Sequence, residues 1–215
     1  MQIEVYSDLV CPWCYIGKTR LDRAIALLAR DPEFPGTEVV CRPFQLDPRA
    51  PRDHAEPVAD VYARKFGGRA NAAEMIARVT AVARQDGLDF QLDRAVRANT
   101  ADAHRLLWWA LRTAGAAIQG DLNDRLMAAY FTDGKDLGDP EVLVACAADC
   151  GLDPDEVGDA LANEDGVEAL AIALRHATDL GITAVPTFVV NSRWSIPGAQ
   201  DTEYFVTLLR RLAAS

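Results

Sequence analysis

Cys11-Pro12-Trp13-Cys14 joins a strand-like run to a helix-like run. Upstream lies Gln2-Ile3-Glu4-Val5-Tyr6-Ser7, where Ile3 and Val5 alternate with Glu4 and Tyr6 at the period of a strand. Downstream, Leu21, Ile25 and Leu28 recur at helical spacing, with Lys18, Arg20, Asp22 and Arg23 on the other faces. The C-x-x-C therefore sits where a helix begins. A cysteine there faces unpaired backbone N–H groups and the positive end of the helix dipole. Both favour the thiolate, which is the reactive form of the side chain. Thiol–disulfide chemistry is the first expectation.

The chain has 215 residues, half of them hydrophobic, enough to bury a core without metal or disulfide staples. Its five cysteines are an odd number and do not form a small secreted disulfide framework. The first strand begins almost at Met1, with no charged and apolar leader before it, and no apolar run approaches membrane-spanning length. These features lead to the expectation of a soluble cytoplasmic protein, in a compartment where a C-x-x-C is catalytic or metal-binding rather than structural. The net charge of -10 argues against nucleic acid or an anionic membrane as main partners.

The two ends of the chain read differently from the middle. Glu38-Val39-Val40-Cys41-Arg42 is a second strand, stopped by Pro43, and Thr187-Phe188-Val189-Val190 is a third. Asn191-Ser192 reads as a tight turn into a fourth strand, Arg193-Trp194-Ser195-Ile196. The last helix, from Asp201 to Ala213, carries Tyr204, Leu208 and Leu212 in one stripe, flanked by Phe205 and Leu209. Between Leu46 and Gly181 the pattern is helical: Ala72–Gln85, Thr100–Thr113 capped by Asn99 or Thr100, Leu122–Phe131, then starts at Asp139-Pro140 and Asp153-Pro154. Residues 1–46 plus 182–215 thus form one α/β unit, and 47–181 a helical insertion.

Several residues carry more than one reading. A metal at Cys11 and Cys14 needs two more ligands, and Cys146 and Cys150 lack the spacing of a zinc knuckle. No metal is expected. Cys41 reads as a buried strand cysteine. Cys146 and Cys150 share a helix face and read as core residues; a second redox pair there is the alternative, although helical geometry strains an i, i+4 disulfide. Trp108-Trp109 reads as inter-helix packing. Pro186 stands just before an apolar strand, where a missing N–H is tolerated; the base rate alone favours a trans Val185–Pro186 bond. His104 shares a stripe with Trp108 and Leu111. It is either a hydrogen-bonded core histidine or a residue lining the groove beside the cysteines.

Cys11-Pro12-Trp13-Cys14 after an N-terminal strand, with Gly181-Ile182-Thr183-Ala184-Val185-Pro186-Thr187-Phe188 opening the third, resembles the thioredoxin superfamily. The helical insertion is similar to that of its DsbA-like branch. Asn99-Thr100, Ala103-His104-Arg105-Leu106 and Phe131 with Gly134-Lys135-Asp136-Leu137-Gly138-Asp139 resemble the FrnE-like group within it. The implied fold is α/β, a thioredoxin fold with a large all-helical insertion. The implied chemistry is protein disulfide oxidoreduction without a bound cofactor. Cys11 is then the nucleophile and Cys14 the resolving thiol. Pro12 and Trp13 tune the motif. The resemblance implies a cis Val185–Pro186 bond beside the nucleophile, where the two residues form the substrate groove.

The chain departs from that pattern in one place. DsbA-type oxidants carry His where this sequence has Trp13, so their strongly oxidising character does not transfer. Asp8 opposes the thiolate if it lies close to Cys11, and on the first strand Val5 points inward and Glu4 outward. The implied partner is a disulfide- or thiol-containing protein, or a small thiol such as glutathione. Two rivals share the architecture: a glutathione-dependent isomerase or transferase of the 2-hydroxychromene-2-carboxylate isomerase or kappa type, and a non-enzymatic binding protein on the same scaffold. The isomerase group generally lacks a second cysteine, and Cys14 weighs against it.

Overall fold

The computed structural model describes residues 1–52, 56–163 and 165–214. The chain opens with β1 (Gln2–Ser7), α1 (Pro12–Leu28) and β2 (Glu38–Pro43). Six helices follow: α2 (Val58–Lys65), α3 (Arg69–Gln85), α4 (Ala101–Phe131), α5 (Pro140–Asp149), α6 (Pro154–Ala162) and α7 (Val167–Asp179). It closes with β3 (Thr187–Val190), β4 (Trp194–Pro197) and α8 (Thr202–Ala213).

The four strands form one sheet in the order β2-β1-β3-β4. β1 and β2 are parallel, so the chain must cross over between them, and α1 is the crossover. β1 runs antiparallel to β3, with Val5 opposite Phe188. β3 turns directly into antiparallel β4 through Asn191 and Ser192, whose φ values of 50° and 53° suit a tight hairpin turn.

Ile3, Val5, Phe188, Val190 and Ile196 cover one face of the sheet and meet Leu21, Leu28, Phe205 and Leu209 of α1 and α8. Phe188 and Phe205 pack edge to face at 4.9 Å between ring centres. Tyr6 is buried too, on the opposite face, against Ala177 of α7 and Ile182. The alternation in β1 marks two buried faces rather than one wet one, because helices cover both sides of this central strand.

One other expectation shifts. The buried stripe of α8 is Phe205 and Leu209; Tyr204 is exposed, and Leu208 and Leu212 lie on the margin. The sheet face accepts the flank of the predicted stripe because Phe205 must reach Phe188. The two helices expected over Thr100–Thr113 and Leu122–Phe131 are present as the two arms of α4, parted at Gly115, whose φ of 88° and ψ of 177° break the helical run; the second arm starts earlier than expected. At its start, Asn99 Oδ1 accepts from the Ala101 N–H at 3.1 Å, and Thr100 makes no capping bond. Asp139 and Asp153 do cap α5 and α6. The short helix α2 has no forerunner in the sequence reading.

α1 belongs to two cores at once. Its Leu21, Ala24 and Leu28 face the sheet. Its Cys14 and Ile16 join a second cluster with Phe90, Leu106, Leu126, Phe131 and other insertion residues. Tyr15 stacks on Phe90 at 5.9 Å and lies 5.8 Å from Phe131. Polar clamps fix the same helix: Arg20 and Arg23 share Asp86 beyond α3, and Lys18 is held between Asp22 and Asp124. Phe188 is fully buried where sheet, α1 and α8 meet. Phe188→Ala should lower stability by about 3–5 kcal/mol, read as a shifted urea midpoint with an unchanged slope.

Candidate active site

Cys11 is the N-cap of α1, with φ -91° and ψ 112°, and Pro12 occupies the first helical position, where its missing N–H costs nothing. The chain enters through a turn in which the Cys11 N–H bonds the Asp8 carbonyl at 3.0 Å. The Cys14 N–H then returns to the Cys11 carbonyl at 3.0 Å. This local geometry follows from the sequence: a strand end, a four-residue turn, proline at the helix start. It stacks Cys11 and Cys14 on one side of the first turn, both as free thiols.

The two sulfurs have unequal surroundings. Cys11 retains 4% of its surface and Cys14 none. Burial drives the Cys14 thiol well above the ordinary thiol range, and its hydrogen bond to the Cys11 sulfur and the negative charge Cys11 can carry push the same way. The Asp8 N–H and the Ser7 hydroxyl oppose the shift. Cys14 is therefore the proton-bearing partner, sealed beneath Cys11.

Across the mouth, the Val185 carbonyl lies 3.9 Å from Cys11 Sγ, and the Val185–Pro186 bond is cis. What lets the helix come so close is Gly17. A β-carbon at that position would lie 3.1 Å from Pro186 Cγ, 3.2 Å from Phe188 Cζ and 3.2 Å from the Ala199 backbone. The Pro186 carbonyl in turn accepts from the Gly198 N–H at 2.8 Å, which anchors the segment to the end of β4.

Trp13 is exposed, at the rim. A cleft of about 150 Å³ opens beside Val10, bounded by Leu46, Tyr62, Lys65, Arg97 and Tyr130. The Tyr62 hydroxyl is pushed up to about 12, first by burial and then by the charge Cys11 can carry. Burial also drives Tyr130 well above the ordinary phenol range, with Tyr62 and Asp8 adding to it. Both phenols stay neutral at physiological pH. None of these cleft residues was singled out from sequence. They come from the turn before α1, the segment after β2, α2, the segment before α4, and α4, so no spacing could have signalled their meeting.

His104 resolves between its two readings. It is buried, with Nε2 3.0 Å from the Phe44 carbonyl and 3.3 Å from Asp8 Oδ1. It does not line the cleft; it supports Asp8, whose other carboxylate oxygen accepts from the Leu46 N–H at 2.7 Å. Asp8 is itself fully buried. Val5 points inward as expected, whereas Glu4, expected outward, is largely covered on the other face, where it pairs with Arg42 at 2.7 Å. Cys41 is buried in β2, and burial pushes its thiol up to about 12. Cys146 is buried and Cys150 half-buried, both as free thiols with burial raising them. Trp109 packs on the insertion core, and Arg112 sits over the Trp108 ring. Among the described residues, no cluster of His, Cys, Asp or Glu could hold a metal ion.

A group whose folded-state pKa is raised contributes stability below its unfolded pKa and loses it as pH rises through the folded one. For Cys41 that window runs from ~8.5, the ordinary thiol value, to about 12. Stability to urea should fall across this range, and Cys41→Ala should fall less steeply than the parent protein.

Known proteins place this geometry in context. The profile of the DSBA-like thioredoxin domain matches residues 2–210. The protein YwbO of Bacillus subtilis (strain 168) is 28% identical over 207 residues, covering 95% of this chain and 94% of its own. A probable DsbA oxidoreductase of Streptomyces coelicolor has a TM-score of 0.90 at 33% identity, over 100% of this chain and 91% of that one. The cytosolic disulfide reductase DsbM of Pseudomonas aeruginosa, 20% identical, shares the fold with a TM-score of 0.68 over 100% of both chains. Its structure with glutathione scores 0.63, over 100% of this chain and 96% of that one.

Proposed function

Because the chain belongs to the DSBA-like thioredoxin-domain family, we propose that it is a thiol–disulfide oxidoreductase working through Cys11 and Cys14. One observation carries this reading: two stacked thiols at a helix start, the outer one open to the Val185 carbonyl and the inner one sealed and held protonated. A binding module has no need of that asymmetry. A glutathione-dependent isomerase has no use for the inner thiol.

The steps follow from the geometry. Cys11, as thiolate, attacks one sulfur of a substrate disulfide, and the other substrate sulfur leaves with the electron pair. Cys14 then loses its proton and attacks Cys11 Sγ. The Cys11–Cys14 bond forms, the mixed disulfide breaks, and the second substrate thiolate departs. Two electrons have passed to the substrate. The oxidised pair runs the same steps backwards, and direction is set by the potential of the pair against its surroundings. Val185 and Pro186 form the wall along which substrate lies beside Cys11. Pro12 shapes the motif, and Trp13 covers its outer side.

The partner is a protein or small molecule bearing a thiol or disulfide, with glutathione a candidate supported by the likeness to DsbM, which has been seen with it. The site of action is the cytoplasm, a reading supported by two features: no described helix is long and apolar enough to cross a membrane, and a reducing compartment suits a free dithiol. Residues 47–181 act as a unit that closes over the redox helix of the α/β part.

Cys14→Ser should trap substrate on Cys11 as a mixed disulfide, visible as an added mass on the intact protein and removed by dithiothreitol. Cys11→Ser should abolish turnover. Turnover retained in Cys11→Ser, with no adduct in Cys14→Ser, would overturn the reading.

A further inference from the structure

The Ser7 side chain is an anomaly. It ends β1, is 4% exposed, and its hydroxyl has no hydrogen-bond partner among the described residues. A buried hydroxyl left unpaired is costly and calls for a reason. The turn that follows folds the Asp8 carbonyl onto the Cys11 N–H, which brings the end of β1 against the first turn of α1. The Ser7 hydroxyl consequently faces the Cys14 sulfur without a formed hydrogen bond, as does the Asp8 N–H. Both groups are donors, and both favour the charged form of a sulfur that is otherwise kept neutral.

The reduced pair has little need of them, because the Cys14 thiol then bonds the Cys11 sulfur. The need arises later. Once Cys11 is tied up in a mixed disulfide, Cys14 must become a thiolate inside a fully buried pocket. A buried anion without donors is strongly disfavoured.

We infer that Ser7 is a catalytic residue of the resolving half-reaction, its hydroxyl donating to the Cys14 sulfur as that sulfur ionises. The inference rests on the disulfide-exchange reading above. The other titratable or charged groups about the pair are Cys11 at the N-cap of α1, Asp8 with His104 of α4 behind it, Tyr62 of α2 and Tyr130 of α4. Ser7 and the Asp8 N–H are the donors that lower Cys14, and of these only Ser7 can be removed by substitution.

A symmetrical nitrobenzoate disulfide separates the two half-reactions, because each half is coloured when released as a thiolate. Attack by the Cys11 thiolate forms Cys11–S–S–aryl and releases the first aryl thiolate. Cys14 then gives its proton to solvent and attacks Cys11 Sγ. The protein disulfide forms, the Cys11–S–S–aryl bond breaks, and the second aryl thiolate leaves. The protein is oxidised by two electrons and the reagent reduced by two.

In stopped flow, Ser7→Ala should slow the second release by roughly ten- to a hundredfold, the worth of one hydrogen bond to a charged group. The first release should stay within about twofold. The second phase should also keep rising with pH beyond the point where the parent protein levels off, a shift that a purely structural effect would not produce. Ser7→Gly, which lacks the hydroxyl and cannot overfill the site, should behave as Ser7→Ala does. Unchanged second phases in both variants, or two phases slowed together with no shift in pH profile, would overturn the assignment to Ser7. A parent protein that releases no second thiolate would instead overturn the disulfide-exchange reading itself.

Discussion

Everything at the site depends on how closely α1 sits against the segment ending in Pro186. Gly17 makes that approach possible: a β-carbon there would press on Pro186, Phe188 and the Ala199 backbone within 3.2 Å. With the helix seated, Cys11 Sγ faces the Val185 carbonyl, and Cys14 is driven into the interior. The same contact ties the redox turn to the sheet core, because Phe188 both meets Gly17 and packs on Phe205. Packed interiors transmit small displacements rather than absorb them, so the site inherits its precision from the core.

Seating the helix also divides the labour between the sulfurs. A thiol sealed from water resists ionisation, and a neighbour that can carry charge adds to the resistance. The outer sulfur is left at the surface, beside the Val185 carbonyl, and the inner one is sealed in the interior. The polar groups beneath the turn form a continuous layer: Ser7 beside Cys14, then Asp8 held by the Leu46 N–H and His104, then His104 on the Phe44 carbonyl. β1, the segment after β2, and α4 each contribute to it. The insertion is therefore part of the site's foundation as well as its cover.

Much of the fold was legible because its signals are local. The hairpin at Asn191-Ser192, the proline-started helices after Asp139 and Asp153, and strands β1, β2 and β3 are each set by a few adjacent residues. The errors have a common physical cause. Glu4 was expected to face outward because one strand cannot reveal that its sheet is covered twice. The stripe of α8 was centred on Tyr204, because periodicity does not say which of two adjoining apolar lines meets Phe188.

The sequence by itself determined the local arrangement: two cysteines one turn apart at a helix start, behind a strand and ahead of a proline-led third strand. These are short-range relations, fixed by backbone geometry, and they hold whatever surrounds them. Only the tertiary structure decided which sulfur is buried, that His104 supports Asp8 rather than lining the cleft, and that Tyr62 and Tyr130 border it. Those facts depend on desolvation and on contacts between residues tens of positions apart. Neither quantity exists until the chain has closed on itself.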